Sequence, residues 1–377
     1  MVKGMRIGKL TLDEHYNYGN KLQNYALQVF LEKYAEQVDT IWHFLQDQFF
    51  IDMNKWGLSR RVRYALSEKK SEKRINRWMH DAIRQYRFKQ FDDRYIHTRY
   101  DCPDLGGAVS AGYDFFVVGS DQVWGPNIDH HQEARFLTFA PKEKRISYAA
   151  SFGVSEIPKE KQKAFAEWLR DMAFISVREQ RGAEIVKELT GREVPVVVDP
   201  TMLLSKKEWE KIEQKPIWVS DETEHNGYIL LYFLSPMAGA ARQTVHQLAK
   251  EKGLGVIELM DETQLDAYCA DPAEFLWLIS HAALVYTDSF HGTVFSILNE
   301  RPFVVCDRRT KQNMNSRLET LLGLFHFENR FGTDSNGYAV EDPFDMDFSG
   351  TEGILAEERE KSDRFMRKAL GISEKEE

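Results

Sequence analysis

The sharpest pattern of apolar and polar positions lies between residues 281 and 299. His281-Ala-Ala-Leu-Val-Tyr286 is a short apolar run of the kind a buried parallel strand uses. Val294, Phe295, Ile297 and Leu298 then recur at helical spacing, which predicts a helix that starts between Ser289 and Gly292 and runs to Asn299. The polar cluster Asp288, Ser289, His291, Gly292 and Thr293 falls where the strand hands over to the helix. Open α/β sheets bind ligands at that edge, and a helix N-terminus there favours anions. His291 can donate to an anion and transfer a proton near neutral pH, or it can simply cap the helix.

The same alternation runs through the chain. Residues 5–12 read as a first strand, followed by a polar loop at 13–20 that holds one glycine, Gly19. Apolar positions from Leu22 through Tyr25, Ala26, Val29, Phe30 and Tyr34 predict a helix ending near Tyr34. One glycine falls short of the GxGxxG dinucleotide pattern, and a tight turn would explain it. Strands at 114–119, 146–153, 174–179 and 193–201, with helices at 158–172 and 182–189, complete a first series. A second series has strands at 228–234, 255–259, 283–287 and 302–306, with helices at 237–252, 272–280 and 290–299. Strict alternation implies parallel sheets. The expected fold is α/β, with two Rossmann-like domains facing across a cleft. The first spans residues 1–200, the second 201–350, and a charged helix and tail fill 351–377.

Composition narrows this picture. A chain of 377 residues exceeds one ordinary core, which favours two domains. Neither a run of about 18 apolar residues nor an N-terminal segment apolar enough for a signal peptide is present. Cys102, Cys269 and Cys306 lie far apart and read as reduced thiols, so the expected location is the cytoplasm. The net charge of −9 and the lack of a recognised module argue against nucleic acid. Residues 55–100 are basic by contrast, with Arg60, Arg61, Arg63, Lys69 and Lys70 interleaved with Trp56, Tyr64 and Trp78. This is expected to be a helical insertion in the first domain. It either meets an anionic membrane surface or an acidic partner, or packs its aromatics on the domain as an exposed excursion.

Other strand ends carry candidate chemistry. Gly119-Ser-Asp-Gln-Val-Trp124 follows a strand directly; Asp121 could take a proton or hold hydroxyls, or cap a helix, and Ser120 could bond a ligand. Arg178 ends another strand with Glu179 beside it. It is read as lying outside the core, where its fork of donors suits a phosphate or carboxylate, or a structural salt bridge. Asn17 and Gln23 flank the first glycine and could bind an acceptor. Arg308, Arg309, Lys311, Asn315 and Arg317 could add positive potential to the cleft, or be ordinary surface charge. The adjacent His130 and His131 lack metal-ligand spacing and read as a solvated loop.

Six stretches in order resemble the polysaccharide pyruvyl transferase family: residues 17–28 (Asn-Tyr-Gly-Asn-Lys-Leu-Gln-Asn-Tyr-Ala-Leu-Gln), Gly119-Ser-Asp-Gln-Val-Trp124, Ser147-Tyr-Ala-Ala-Ser-Phe-Gly153, Ser176-Val-Arg-Glu179, Val198-Asp-Pro-Thr201 and Asp288-Ser-Phe-His-Gly-Thr-Val through Pro302. The resemblance implies a fold similar to the GT-B glycosyltransferases. It also implies transfer of the enolpyruvyl skeleton of phosphoenolpyruvate onto a sugar, or onto a lipid-linked precursor, with a cyclic ketal formed and phosphate released. No cofactor or metal is expected. In the family, the arginine of the Ser-Val-Arg-Glu motif and the histidine of the His-Gly motif serve the phosphoenolpyruvate site, which carries over to Arg178 and His291; the acid of Gly-Ser-Asp carries over to Asp121. Ser120, Asn17, Gly19, Gln23, Ser289, Gly292, Thr293 and Glu179 are the expected substrate-binding residues. A GT-B glycosyltransferase using a nucleotide sugar is the competing reading. A non-catalytic binding module is disfavoured by the intact Arg178, His291 and Asp121.

Overall fold

A computed structural model describes residues 2–12, 17–41, 72–99, 105, 107–127, 132–237, 239–307, 316–332 and 340–373. The first domain is built on a six-stranded sheet in the order β3-β2-β1-β4-β5-β6. Its strands are β1 (Val2–Leu10), β2 (Ala35–Ile41), β3 (Thr98–Arg99), β4 (Phe115–Val118), β5 (Arg145–Ala150) and β6 (Phe174–Val177), all parallel. The second sheet has the order β11-β10-β9-β7-β8. It comprises β7 (Tyr228–Tyr232), β8 (Gly255–Glu258), β9 (Leu284–Thr287), β10 (Phe303–Cys306) and β11 (Phe331–Gly332), again all parallel. The longer helices are α1 (Tyr18–Leu31), α2 (Glu72–Tyr95), α3 (Lys159–Arg170), α4 (Gln180–Thr190), α5 (Gly239–Lys252), α6 (Pro272–Ser280), α7 (Phe290–Leu298), α8 (Ser316–Phe325) and α9 (Thr351–Ala369).

Each sheet reverses its winding once. In the first, β1 to β3 grow outward and β4 returns beside β1; in the second, β8 lies on one side of β7 and β9 on the other. These are topological switch points, where the loops leaving neighbouring strands diverge and open a crevice. The two crevices face each other, so the expected pair of Rossmann-like domains with a cleft between them is the architecture found.

Several details differ from the sequence reading. Strands β2, β3 and β11 escaped it because they are short or carry polar residues, as in Ala35-Glu-Gln-Val-Asp-Thr-Ile41. Residues 193–201 form one bridge, Val177 to Val196, rather than a strand, and Pro200–Leu203 coil into a 3-10 turn capped by Asp199. Helix α1 begins four residues earlier than expected, because Asn17 accepts the Gly19 N–H through its side chain. Gly19 is therefore helical, not part of a loop turn.

The basic segment also needs correction. Its part at 55–71 lies outside the described residues, whereas α2 is no exposed excursion: it packs at the junction of the domains. Arg84 is fully buried there, donating to the Tyr18 hydroxyl at 3.0 Å and to the Tyr268 carbonyl, with its face on the Tyr18 ring. Arg87 pairs with Glu274 at 2.7 Å. Tyr18 in turn stacks on Phe275 of α6, with ring centroids 4.3 Å apart and planes 9° apart. The last helix, α9, returns to the first domain. Arg359 donates to the Met202 and Leu204 carbonyls, and Tyr34 bonds Asp363.

Candidate active site

The facing crevices form one polar pocket. The first domain contributes Leu12, Asn17, Asn20, Asp121 and Gln122; the second contributes Leu234, Asp288, Ser289, Phe290, His291, Arg317 and Leu318. Sequence order explains the convergence: every lining residue except Arg317 and Leu318 lies in the loop or first helical turn after β1, β4, β7 or β9. Asp288 fixes the second crevice, its carboxylate accepting the backbone N–H groups of Leu234 at 2.6 Å and Ser235 at 2.9 Å. Ser289 caps α7 by accepting from Gly292 N at 3.4 Å, and Thr293 bonds back to the Ser289 carbonyl. The amides at the start of α7 thus face the pocket with the positive end of the helix dipole.

Behind this wall lies a buried charge cluster. Asp199 Oδ2 accepts from Ser120 Oγ at 2.7 Å and from Arg178 at 2.8 Å, and it stands 3.6 Å from His291 Nε2. Burial works against ionisation of Asp199, but the charge of His291, then that of Arg178 and the Ser120 hydroxyl outweigh it and hold the carboxyl far below the usual range. Asp121 adopts a left-handed backbone with φ of 72°, which turns its carboxylate back toward Arg178 at 3.4 Å and Arg317 at 3.8 Å. Burial raises its carboxyl as well, and Arg178, His291 and Arg317 together bring it below the ordinary value. Glu179 behaves oppositely. Burial pushes it up more than Arg178 and Arg317 lower it, although Ser151 Oγ donates to it at 2.9 Å.

The expected site residues divide into two groups. Asn17, Asp121, Ser289 and His291 line the pocket. Ser120, Gly19, Gln23, Gly292, Thr293, Arg178 and Glu179 stand behind it, all of them buried. The reading of Arg178 as lying outside the core is overturned: the side chain is 1% exposed, and its salt bridge to Asp199 is the alternative that the structure contains. Arg178 also lies on the Phe290 ring, 4.4 Å from its centroid. Gly19 matters as an absence, since a Cβ there would overlap the His291 imidazole. Gly292 likewise leaves room for Thr287 Oγ1 and Tyr232. Gln23 buttresses the first crevice, donating to Thr11 Oγ1 at 2.5 Å and the Asn20 carbonyl at 2.9 Å.

Sequence reasoning missed Asp199 and Asn20 as site members. An acid at a strand end before a proline was the available signal for Asp199, and the i, i+3 spacing from Asn17 was the signal for Asn20. The amide oxygen of Asn20 is buried and makes no hydrogen bond. Arg317 was read as adding positive potential to the cleft or as ordinary surface charge; it lines the pocket, and its companions at 308–315 lie outside the described residues.

Over its whole length the chain is similar to several solved structures at low identity. UDP-GlcNAc 2-epimerase from Neisseria meningitidis, bound to UDP-GlcNAc, shares 10% identity over 95% of this chain and 100% of that one, with a TM-score of 0.40. The 2-epimerase from Rickettsia bellii shares 9% over 97% of each, with a TM-score of 0.47. MurG from Acinetobacter baumannii shares 10% over 98% of this chain and 96% of that one, with a TM-score of 0.41. No curated protein matches the sequence. The family model for polysaccharide pyruvyl transferase, in contrast, matches residues 17–310, a span that runs from the cap of α1 past β10 and takes in every pocket residue except Leu12, Arg317 and Leu318; the chain belongs to that family.

Proposed function

We propose that this protein moves the enolpyruvyl group of phosphoenolpyruvate onto a sugar of a polysaccharide or its lipid-linked precursor, forming a pyruvate ketal and releasing phosphate. The observation that carries the reading is His291, held at the start of α7 on the pocket wall with the ionised Asp199 3.6 Å from its Nε2. A histidine on that wall can carry the proton that a carbon centre has to receive.

The scheme follows from the donor's chemistry. His291 gives a proton to the methylene carbon, and C2 becomes an oxocarbenium-like centre. A sugar hydroxyl attacks C2, and Asp121, kept ionised by the arginines beside it, takes the proton. The second hydroxyl then attacks C2, the bond to the phosphate oxygen breaks, and the ketal closes. Of the two hydroxyl protons, one balances that placed on the methyl group and the other leaves with phosphate. Nothing in these steps calls for a metal or cofactor. A lipid-linked acceptor would bring the protein to the cytoplasmic face of the membrane; no helix among the described residues is long and apolar enough to cross one.

Calorimetric titration with phosphoenolpyruvate, UDP and CMP, repeated on Arg178→Ala and His291→Ala, tests the reading. Selective phosphoenolpyruvate binding that weakens in both variants is expected. Nucleotide binding with phosphoenolpyruvate silent would replace it with a nucleotide-sugar glycosyltransferase.

A further inference from the structure

We infer that Asn20 selects the acceptor, its side-chain amide taking a hydroxyl of the incoming sugar; the inference rests on the function proposed above. Two asparagines line the pocket from the start of α1, Asn17 at the cap and Asn20 three residues on, which places them on one face of the helix. They differ in what their side chains already do. Asn17 spends its amide oxygen on the Gly19 N–H at 2.9 Å, the bond that starts the helix. Asn20 is 1% exposed and its backbone carbonyl is held by Gln23 Nε2 at 2.9 Å, yet among the described residues its amide oxygen has no hydrogen-bond partner. A buried amide oxygen without a donor works against the fold, and an apolar side chain of similar size would pack there at lower cost. In the wall of a pocket, such an orphan marks the place of a donor that arrives with the ligand.

The chemistry of the two substrates says which one brings it. Above the second phosphate ionisation, near about pH 6, phosphoenolpyruvate carries only oxygen acceptors and has no O–H to give. A sugar has several. Asp121, the base of the proposed reaction, lines the pocket from the same domain as Asn20. One hydroxyl on Asp121 and another on Asn20 hold the sugar ring at two points, so the spacing of these two residues sets which pair of hydroxyls is bridged. Asn20 also follows Gly19 directly, the residue whose backbone the His291 imidazole packs against, so a sugar bound there meets the proton donor of the opposite domain.

The test compares the wild-type protein with Asn20→Ala and Asn20→Leu at pH 8. Phosphoenolpyruvate affinity is read by calorimetry, and acceptor use by phosphate release from saturating phosphoenolpyruvate with a panel of methyl hexopyranosides. Asn20→Ala should raise the KM of whichever hexoside the wild type uses at least about tenfold, roughly 1.4 kcal/mol, with phosphoenolpyruvate affinity within about twofold of wild type. Urea unfolding adds a readout that needs no substrate: an unpartnered amide predicts that at least one of the two variants is as stable as wild type or more so. A clear loss of stability in both would give the amide a structural task and overturn the inference. An unchanged acceptor KM in Asn20→Ala overturns it too, as does a phosphoenolpyruvate affinity that falls in parallel, and in each of these cases the proposed function stands. Where no hexoside of the panel is turned over, the unfolding result decides. A wild-type protein silent toward phosphoenolpyruvate overturns both.

Discussion

The imidazole of His291 rests directly against the backbone of Gly19, the second residue of α1, in the space a Cβ would fill. The two residues come from different domains and are 272 positions apart (291 − 19). Alanine is intrinsically a better helix residue than glycine by about 1 kcal/mol, so local propensity opposes this glycine. Packing explains it instead.

Gly19→Ala should therefore push the ring off its position. Overpacking of this kind costs about 1–3 kcal/mol, partly offset by the helix gain, so a modest fall in unfolding free energy is expected. The larger effect should be on the site, with phosphoenolpyruvate affinity and turnover both reduced at least about tenfold. A Gly19→Ala protein with wild-type binding and rate would show that the contact does not set the ring.

The charge cluster should give two opposite pH dependences. Asp199 and Asp121 have lowered carboxyls in the fold, so their stabilisation is present above the unfolded value of about 3.9 and is lost as pH falls below it. Glu179 is raised, so its contribution is fully present below about 4.3 and is lost as pH rises through its folded value. Glu179→Gln should accordingly be more stable than wild type at pH 8 and nearly equal at pH 4, measured by urea unfolding. A gap of the same size at both would contradict the assignment. Asp199→Asn should lose about 3–5 kcal/mol at pH 7, because it leaves Arg178 buried without its main partner.

Arg84 links α2 to both domains through Tyr18 and Tyr268. Arg84→Met keeps much of the volume but strands the Tyr268 carbonyl, while the Tyr18 hydroxyl keeps its bond to the Ala270 carbonyl, and should cost about 1–3 kcal/mol. Because Tyr18 lies between Asn17 and Gly19, ligand affinity should fall as well. Unchanged unfolding and unchanged binding would remove α2 from any structural role at the site.

Strands β4, β7, β9 and β10 were legible because a strand buried on both faces must be a continuous apolar run, and so was α7 with its cap. Helix α6 was read to the residue, since Asp271 and Pro272 signal its start. Strand β2, between β1 and β3, was not legible: it buries Asp39 and Thr40 through Tyr113 and Lys9, partners no local pattern announces. Loops after strands pointed to Asp121, Ser289 and His291. That Arg178 would turn inward depended on where Asp199 sits, and Asp199 acquires its meaning only when the 3-10 turn folds beneath β4 and β6.

The stack of Tyr18 on Phe275, with Arg84 lying over the Tyr18 ring, has a bearing on substrate selection. Widening the gap between the two pocket walls would first have to part this stack, so in the proposed reaction an acceptor too large for the gap is opposed before any chemistry begins, and a shift in sugar preference would come from trimming residues on the first domain's rim.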